Sequence, residues 1–97
     1  MIRAEIFVNK SVQEVIINNL EAAIPDFFYS VIPLTHGRGK DNRKLGTTIW
    51  PETNVTIIAY MENEKEKVLR TVVDYVKEKY PDEGIKLFVL HDWDFYI

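Results

Sequence analysis

The sequence predicts an α+β fold: one antiparallel four-stranded sheet with two helices on a single face. Three observations lead there. Four segments alternate apolar with polar residues or are rich in β-branched and aromatic ones, two others repeat apolar residues at helical spacing, and the six follow one another as β-α-β-β-α-β. Periods of two and of about 3.6 residues mark half-buried strands and amphipathic helices respectively.

Residues 2–8 place Ile2, Ala4, Ile6 and Val8 on one side and Arg3, Glu5 and Phe7 on the other, a strand pattern. Ser11 followed by Glu14 has the form of a capping box, in which a hydroxyl and a carboxylate satisfy amides left without partners at a helix start. Val12, Ile16, Leu20 and Ala23 then recur at helical spacing and Pro25 ends the run, so a helix is expected over 11–23. Residues 27–36 are aromatic and β-branched, a second strand in which Pro33 calls for an edge position or a bulge. Residues 37–51 hold three glycines and five charged residues without periodicity and read as a loop. Fifteen residues is long for a connection in so small a domain, and loops of that length are usually functional or disordered.

Residues 54–61 alternate Val55, Ile57, Ala59 and Met61 with Thr56, Ile58 and Tyr60, a third strand. Asn63 with Glu66 repeats the capping pattern, and Val68, Leu69, Val72, Val73, Val76 and Tyr80 mark a long second helix. Its acidic residues Glu64 and Glu66 lie near the positive end of the helix dipole and Lys77 and Lys79 near the negative end, the favourable arrangement. Pro81 and Gly84 break it. Residues 85–90 form a fourth strand, which 91–97 prolong or follow with a short extra one. The simplest closure of these elements is a ferredoxin-like βαββαβ sandwich. No linker or low-complexity stretch divides the sequence, so residues 1–97 are expected to form a single domain.

Composition narrows the function classes. The 97 residues are 46% hydrophobic and carry 12 Lys and Arg against 15 Asp and Glu, a net charge of −3, so the surface as a whole is not a nucleic-acid footprint. With no cysteine there is no disulfide scaffold, thiolate zinc site or thiol catalysis. Mean hydropathy is −0.16, and no apolar run approaches the ~20 residues that span a bilayer. Arg3 and Glu5 interrupt the N-terminus before a signal-peptide core could form. A cytoplasmic protein without membrane insertion is the expectation.

Two helices cover only one face of such a sheet, and a solvated second face should be polar. Here Phe27, Tyr29 and Val31 alternate with Phe28, Ile32 and Leu34 in the second strand, Ile58 and Tyr60 stand opposite Ile57 and Ala59 in the third, and Phe88 and Leu90 stand opposite Leu87 and Val89 in the fourth. At ~25 cal/mol per Å² of apolar surface, leaving such side chains in water forfeits many kcal/mol. A contiguous patch of this kind marks an interface, and the expected occupant is another copy of the chain in a closed oligomer. RNA-binding sheets also expose aromatics, and Phe27, Tyr29, Tyr60 and Phe88 are of the right type, but the glycine pattern of that fold's RNA-binding motif is missing, so no nucleic-acid partner is expected.

Residues 36–44, His-Gly-Arg-Gly-Lys-Asp-Asn-Arg-Lys, carry a net charge of +3 in an otherwise acidic chain. Gly37 and Gly39 allow close backbone approach to a ligand, and Arg38, Lys40, Arg43 and Lys44 beside them suit an anion or phosphate. The same composition also fits a solvated hairpin loop.

On the order of its elements, on the long loop opening Gly37-Arg38-Gly39-Lys40, and on Gly84-Ile85-Lys86-Leu87-Phe88-Val89-Leu90 entering the fourth strand, the chain resembles the PII-like (nitrogen regulatory protein P-II-like) signalling superfamily. The pattern covers nearly the whole chain. The resemblance implies a non-catalytic regulatory protein, a homo-oligomer and specifically a trimer with its sheets packed inward. It implies that a small anionic effector, an adenine nucleotide among the candidates, binds at clefts between subunits and that a T-loop-like segment, here 37–51, relays binding to a regulated partner. By this carry-over Gly37, Arg38, Gly39 and Lys40 contact the ligand, as do Gly84 and Lys86, while Arg43 and Lys44 steer the ligand or a partner. The sequence departs from the family's nitrogen-regulatory members in a shorter loop without tyrosine, and in Tyr80-Pro81-Asp82-Glu83-Gly84 where their phosphate-binding loop stands. An AMP-like, cyclic-nucleotide or other small anion fits these residues, and so does a loop that touches only a protein partner.

The alternative is a divalent-metal protein similar to the CutA type, using the C-terminal His91-Asp92-Trp93-Asp94. On an extended strand Asp92 and Asp94 face one way and His91 the other, so His36 or another subunit would have to complete the site. Ser11-Val12-Gln13-Glu14-Val15 lacks the glycines and arginine of an acylphosphatase phosphate loop, and neither histidine has a nucleophile at supporting spacing, so no catalytic residues are assigned.

Overall fold

β1 (Ile2–Asn9) buries Ile2, Ala4, Ile6 and Val8 as its alternation requires, and a 3₁₀ turn (Lys10–Val12) leads from it into α1 (Gln13–Ala23). β2 (Tyr29–Thr35) is followed by two short strands, β3 (Gly37–Arg38) and β4 (Arg43–Lys44), and then by β5 (Asn54–Met61). A second 3₁₀ turn (Asn63–Lys65) opens α2 (Glu66–Lys79), and β6 (Ile85–Leu90) completes the fold. The structure, a computed structural model, describes residues 1–35, 37–38, 43–44 and 54–92.

The main sheet has the order β2-β5-β1-β6 with every neighbouring pair antiparallel. This is the ferredoxin-like α+β arrangement that the element order implied. Register aligns the inward residues across the centre, Ile6 opposite both Ile57 and Leu87, Ala4 opposite both Ala59 and Val89. Ile16, Ile17 and Leu20 of α1 and Leu69, Val73 and Val76 of α2 close over this face in one continuous core, and the two helices touch each other. β2 lies at the sheet edge, and its pairing with β5 slips between Ile32 and Thr35, around Pro33. A residue without an N–H to give the ladder is tolerated in just such a place.

Several expectations need correction. Neither helix uses the capping box that its sequence spells. The chain enters each helix through a 3₁₀ turn, so Ser11 and Asn63 lie inside the turns, and the N-cap positions, Val12 for α1 and Lys65 for α2, make no side-chain cap bond. The second strand starts at Tyr29. Phe27 sits ahead of it in the core, its ring stacked on Tyr29 at 5.4 Å between centroids. Tyr29 and Val31 pair with Ala59 and Ile57 on the helix side of the sheet, so the four aromatics that matched an RNA-binding face do not share one. β6 stops at Leu90, and the positive φ of 61° at Asp92 shows that it is not prolonged directly; the short extra strand expected as the alternative falls on 93–97, outside the described residues. The segment expected as a plain loop opens with the β3–β4 ribbon, Gly37 opposite Lys44 and Arg38 opposite Arg43.

Leu20 is fully buried between the helices and the sheet. Leu20→Ala is therefore expected to cost about 2–5 kcal/mol, seen as a lower urea midpoint at unchanged m-value.

Candidate functional site

The sequence-predicted ligand residues come from distant parts of the chain, and the end of β1 brings the turn that holds Gly84 to the ends of the connection that carries the others. Asn9, the last residue of β1, pairs in register with Asn54, the first of β5, and Asn54 pairs with Thr35, the last of β2. Thr35 and Asn54 are the two ends of the connection that carries the basic segment. On its other side the Asn9 backbone N–H donates to the Gly84 carbonyl at 3.2 Å, and its Nδ2 donates to Glu83 Oε2 at 2.8 Å. Asn9 itself is buried. The base of the basic loop and the turn before β6 thus meet at one end of the sheet.

Within that end, Gly37, Arg38, Arg43 and Lys44 are brought together on the β3–β4 ribbon. Gly39 and Lys40 lie outside the described residues, as do 45–51 of the expected loop. Gly84 is exposed, and a side chain built there would meet nothing within 4 Å, so no close packing demands glycine at this point. Lys86 is exposed on β6 directly across from Phe7, on the sheet face away from the helices. A separate groove at the start of α1 is lined by Lys10, Gln13, Glu14, Ile17 and Tyr29 and takes up none of these residues.

The residues of the metal alternative are arranged differently from expectation. His91 Nε2 lies 2.6 Å from Glu66 Oε1 at the start of α2, and the other oxygen of Glu66 accepts from Arg70 Nε at 2.8 Å. Asp94 and His36 lie outside the described residues. Among the described residues no group of three or more histidines and carboxylates is placed to hold a metal ion.

Among the described residues the sheet face away from the helices exposes a run of apolar side chains, with Lys86 beside them and a charged pair near the centre. Phe88 is 53% exposed, Ile32 48%, Tyr60 41% and Leu90 40%, with Phe28 at 75% just ahead of β2. Phe7 and Phe88 meet edge to face at 5.8 Å. Between them and Tyr60, Arg3 Nε donates to Glu5 Oε2 at 2.8 Å and Arg3 Nη1 to the Tyr60 hydroxyl at 2.9 Å. The roles of Asn9, of Glu83 and of the Arg3–Glu5–Tyr60 group escaped the sequence reading. Arg3 and Glu5 are visible as charges on a strand, but only register shows that Phe88 and Leu90 flank them.

With the geometry in hand, the fold defines the class: a ferredoxin-like sandwich with a basic ribbon inserted between its second and third sheet strands. Solved structures place it more narrowly. A structure of CPII from Thiomonas intermedia bound to ADP and bicarbonate matches with a TM-score of 0.71 at 18% identity, covering 92% of this chain and 82% of that one. CPII bound to ADP, AMP and acetate matches at 0.69 and 17% identity over 91% and 81% of the two chains. A third, in which CPII is described as a nitrogen regulatory PII-like protein bound to ADP, AMP and bicarbonate, matches at 0.71 and 17% over 92% and 86%. The fold is that of the PII-like proteins. No protein-family model and no curated protein matches the sequence.

The hydrogen bond from Arg70, followed by that from His91, holds the Glu66 carboxyl below its ordinary value of 4.5. A carboxyl whose folded pKa is depressed adds stability above its unfolded value and loses it as pH falls through the folded one. Glu66→Gln should therefore melt below wild type at about pH 6, with the gap closing toward about pH 3. Thermal unfolding of both proteins across that range checks this, and a gap independent of pH would contradict it.

Proposed function

We propose that this chain is a divergent PII-like regulatory protein: a non-catalytic cytoplasmic homo-oligomer, a trimer in the manner of that superfamily, that senses a small anionic effector. The effector class is an adenine nucleotide of few phosphates, held at clefts between copies by the basic T-loop-like segment at 37–51, and its binding is relayed to a regulated protein. The observation that carries this reading is the convergence at the end of β1, where the basic ribbon's base and the Gly84 turn share Asn9 as a neighbour. The fold's likeness to CPII structures that hold ADP and AMP supports the choice of ligand.

Arg38 and Lys40 neutralise ligand charge, with Gly37 and Gly39 allowing the backbone near it. Gly84 and Lys86 border the site, and Arg43 and Lys44 add long-range attraction. Arg38 and Arg43 stand opposite each other in the register of the ribbon. Asp82 and Glu83, in the turn nearby, weigh against a long polyphosphate. Signalling of this kind requires only that the ligand favour one loop state over another.

Thermal-shift and calorimetric titrations with AMP, ADP, ATP and divalent cations test the reading. AMP or ADP should stabilise the wild-type protein, and Arg38→Ala combined with Lys40→Ala should weaken that binding roughly tenfold or more, the scale of a lost charge-assisted hydrogen bond. Stabilisation by divalent cations alone, unchanged in the double variant, would overturn it in favour of the metal alternative at His91, Asp92 and Asp94.

A further inference from the structure

Asn9 is only 2% exposed, and a buried side-chain amide is costly unless it is bonded. Its Nδ2 commits a 2.8 Å bond to Oε2 of Glu83, a half-buried residue 74 positions away. The turn that holds Glu83 is already tied twice through its backbone. The Glu83 N–H donates to the Tyr80 carbonyl at 3.1 Å, and the Asn9 N–H to the Gly84 carbonyl at 3.2 Å. What the buried amide adds is a fixed position for one carboxylate. A carboxylate accepts and does not donate, and its two oxygens offer about four lone-pair sites. Among the described residues the Glu83 carboxylate has no partner besides Asn9 Nδ2, so most of its accepting capacity is unused.

The position matters because of what stands beside it. Asn9 is in register with Asn54, and Asn54 with Thr35, the residue that leads toward the basic segment. Two strand spacings, about 10 Å, separate Asn9 from Thr35. We propose that Glu83 is a specificity-determining residue of the effector site: it accepts hydrogen bonds from the hydroxyl pair of the ligand's sugar, while the basic segment takes the phosphate. The inference rests on the reading of that site as one for an adenine nucleotide, and deepens it by naming the part of the ligand that is recognised. The effector class becomes a ribonucleotide whose 2′ and 3′ hydroxyls are free. A phosphate has no donor to give this carboxylate and is repelled by its charge, so it belongs on the cationic side. Two hydroxyls can satisfy one carboxylate together, with the strength that an ionised acceptor adds. An anion without hydroxyls gains no such bonds and still meets the repulsion, which is how the site would reject it.

Calorimetric titration of the full chain with AMP and with its 2′,3′-dideoxy analogue tests this, with circular dichroism as the check on folding. Wild type should bind AMP about tenfold or more tighter than the analogue, the scale of a lost hydrogen bond to a charged group. Glu83→Ala should remove most of that preference by weakening AMP, while the analogue binds as well as before or better. Glu83→Gln, which can still accept from a hydroxyl, should keep part of it. Equal binding of AMP and the analogue to wild type would overturn the role of Glu83 while the nucleotide site stands, and so would a Glu83→Ala variant that weakens both alike. A wild type that binds no adenine nucleotide would overturn the site itself.

Discussion

β1 lies between β5 and β6, and its two faces meet different fates. Ile2, Ala4, Ile6 and Val8 point toward the helices and are wholly or almost wholly buried, while Arg3, Glu5 and Phe7 look toward the sheet face opposite the helices. Because a strand's side chains alternate strictly, a register slip of one residue would exchange the two sets. Burial of the first set therefore fixes which residues the second face presents. The helices secure the core, and the cost is a sheet surface carrying Ile32, Tyr60, Phe88 and Leu90 in water.

The same strand determines where the residues proposed to bind the ligand meet. β1 ends at Asn9, which is buried and within reach of both neighbours. On one side Asn54 begins β5, so the connection bearing the basic ribbon must return to this point. On the other, Gly84 and Glu83 are held by the Asn9 amide groups. Asn54 and Gly84, thirty residues apart, are thus juxtaposed by one residue whose neighbours in sequence are ordinary strand and turn.

What was legible in the sequence follows from the range of the interactions. The alternation of Ile2 to Val8 and of Val55 to Met61 reports burial on one face, a property each strand carries locally, and so do the stripes of α1 and α2. Pro33 correctly announced an irregular edge because its missing N–H is a local fact. The capping boxes misled because the pattern Ser11-x-x-Glu14 is compatible with either a cap or a preceding 3₁₀ turn, and tertiary packing chose the turn. The β3–β4 ribbon has two residues in each strand, too few for periodicity to appear. The fates of His91 and Glu83 depend on Glu66 and Asn9, 25 and 74 residues away, and no local pattern carries that information. His91 looked like a ligand in search of a metal. Its partner is a carboxylate on α2.

Charge distribution links the two surfaces. Residues 36–44 hold +3, so the rest of the chain carries −6 to give the net −3. On the proposed reading of an oligomer, bodies of like net charge approach each other, and the basic segments supply a countering attraction over distances of about a Debye length. An anion bound to those segments removes part of that attraction while supplying contacts of its own. On the proposed reading the effector therefore acts on two balances at once, the state of the loop and the electrostatic fit between copies. A ligand need bind one state only about tenfold better than the other, a differential of about 1.4 kcal/mol, to shift the balance between them tenfold. The loss or gain of one charge-assisted hydrogen bond is of that size, so a loop of four cations in nine residues has enough chemistry to act as a switch without any rearrangement of the core.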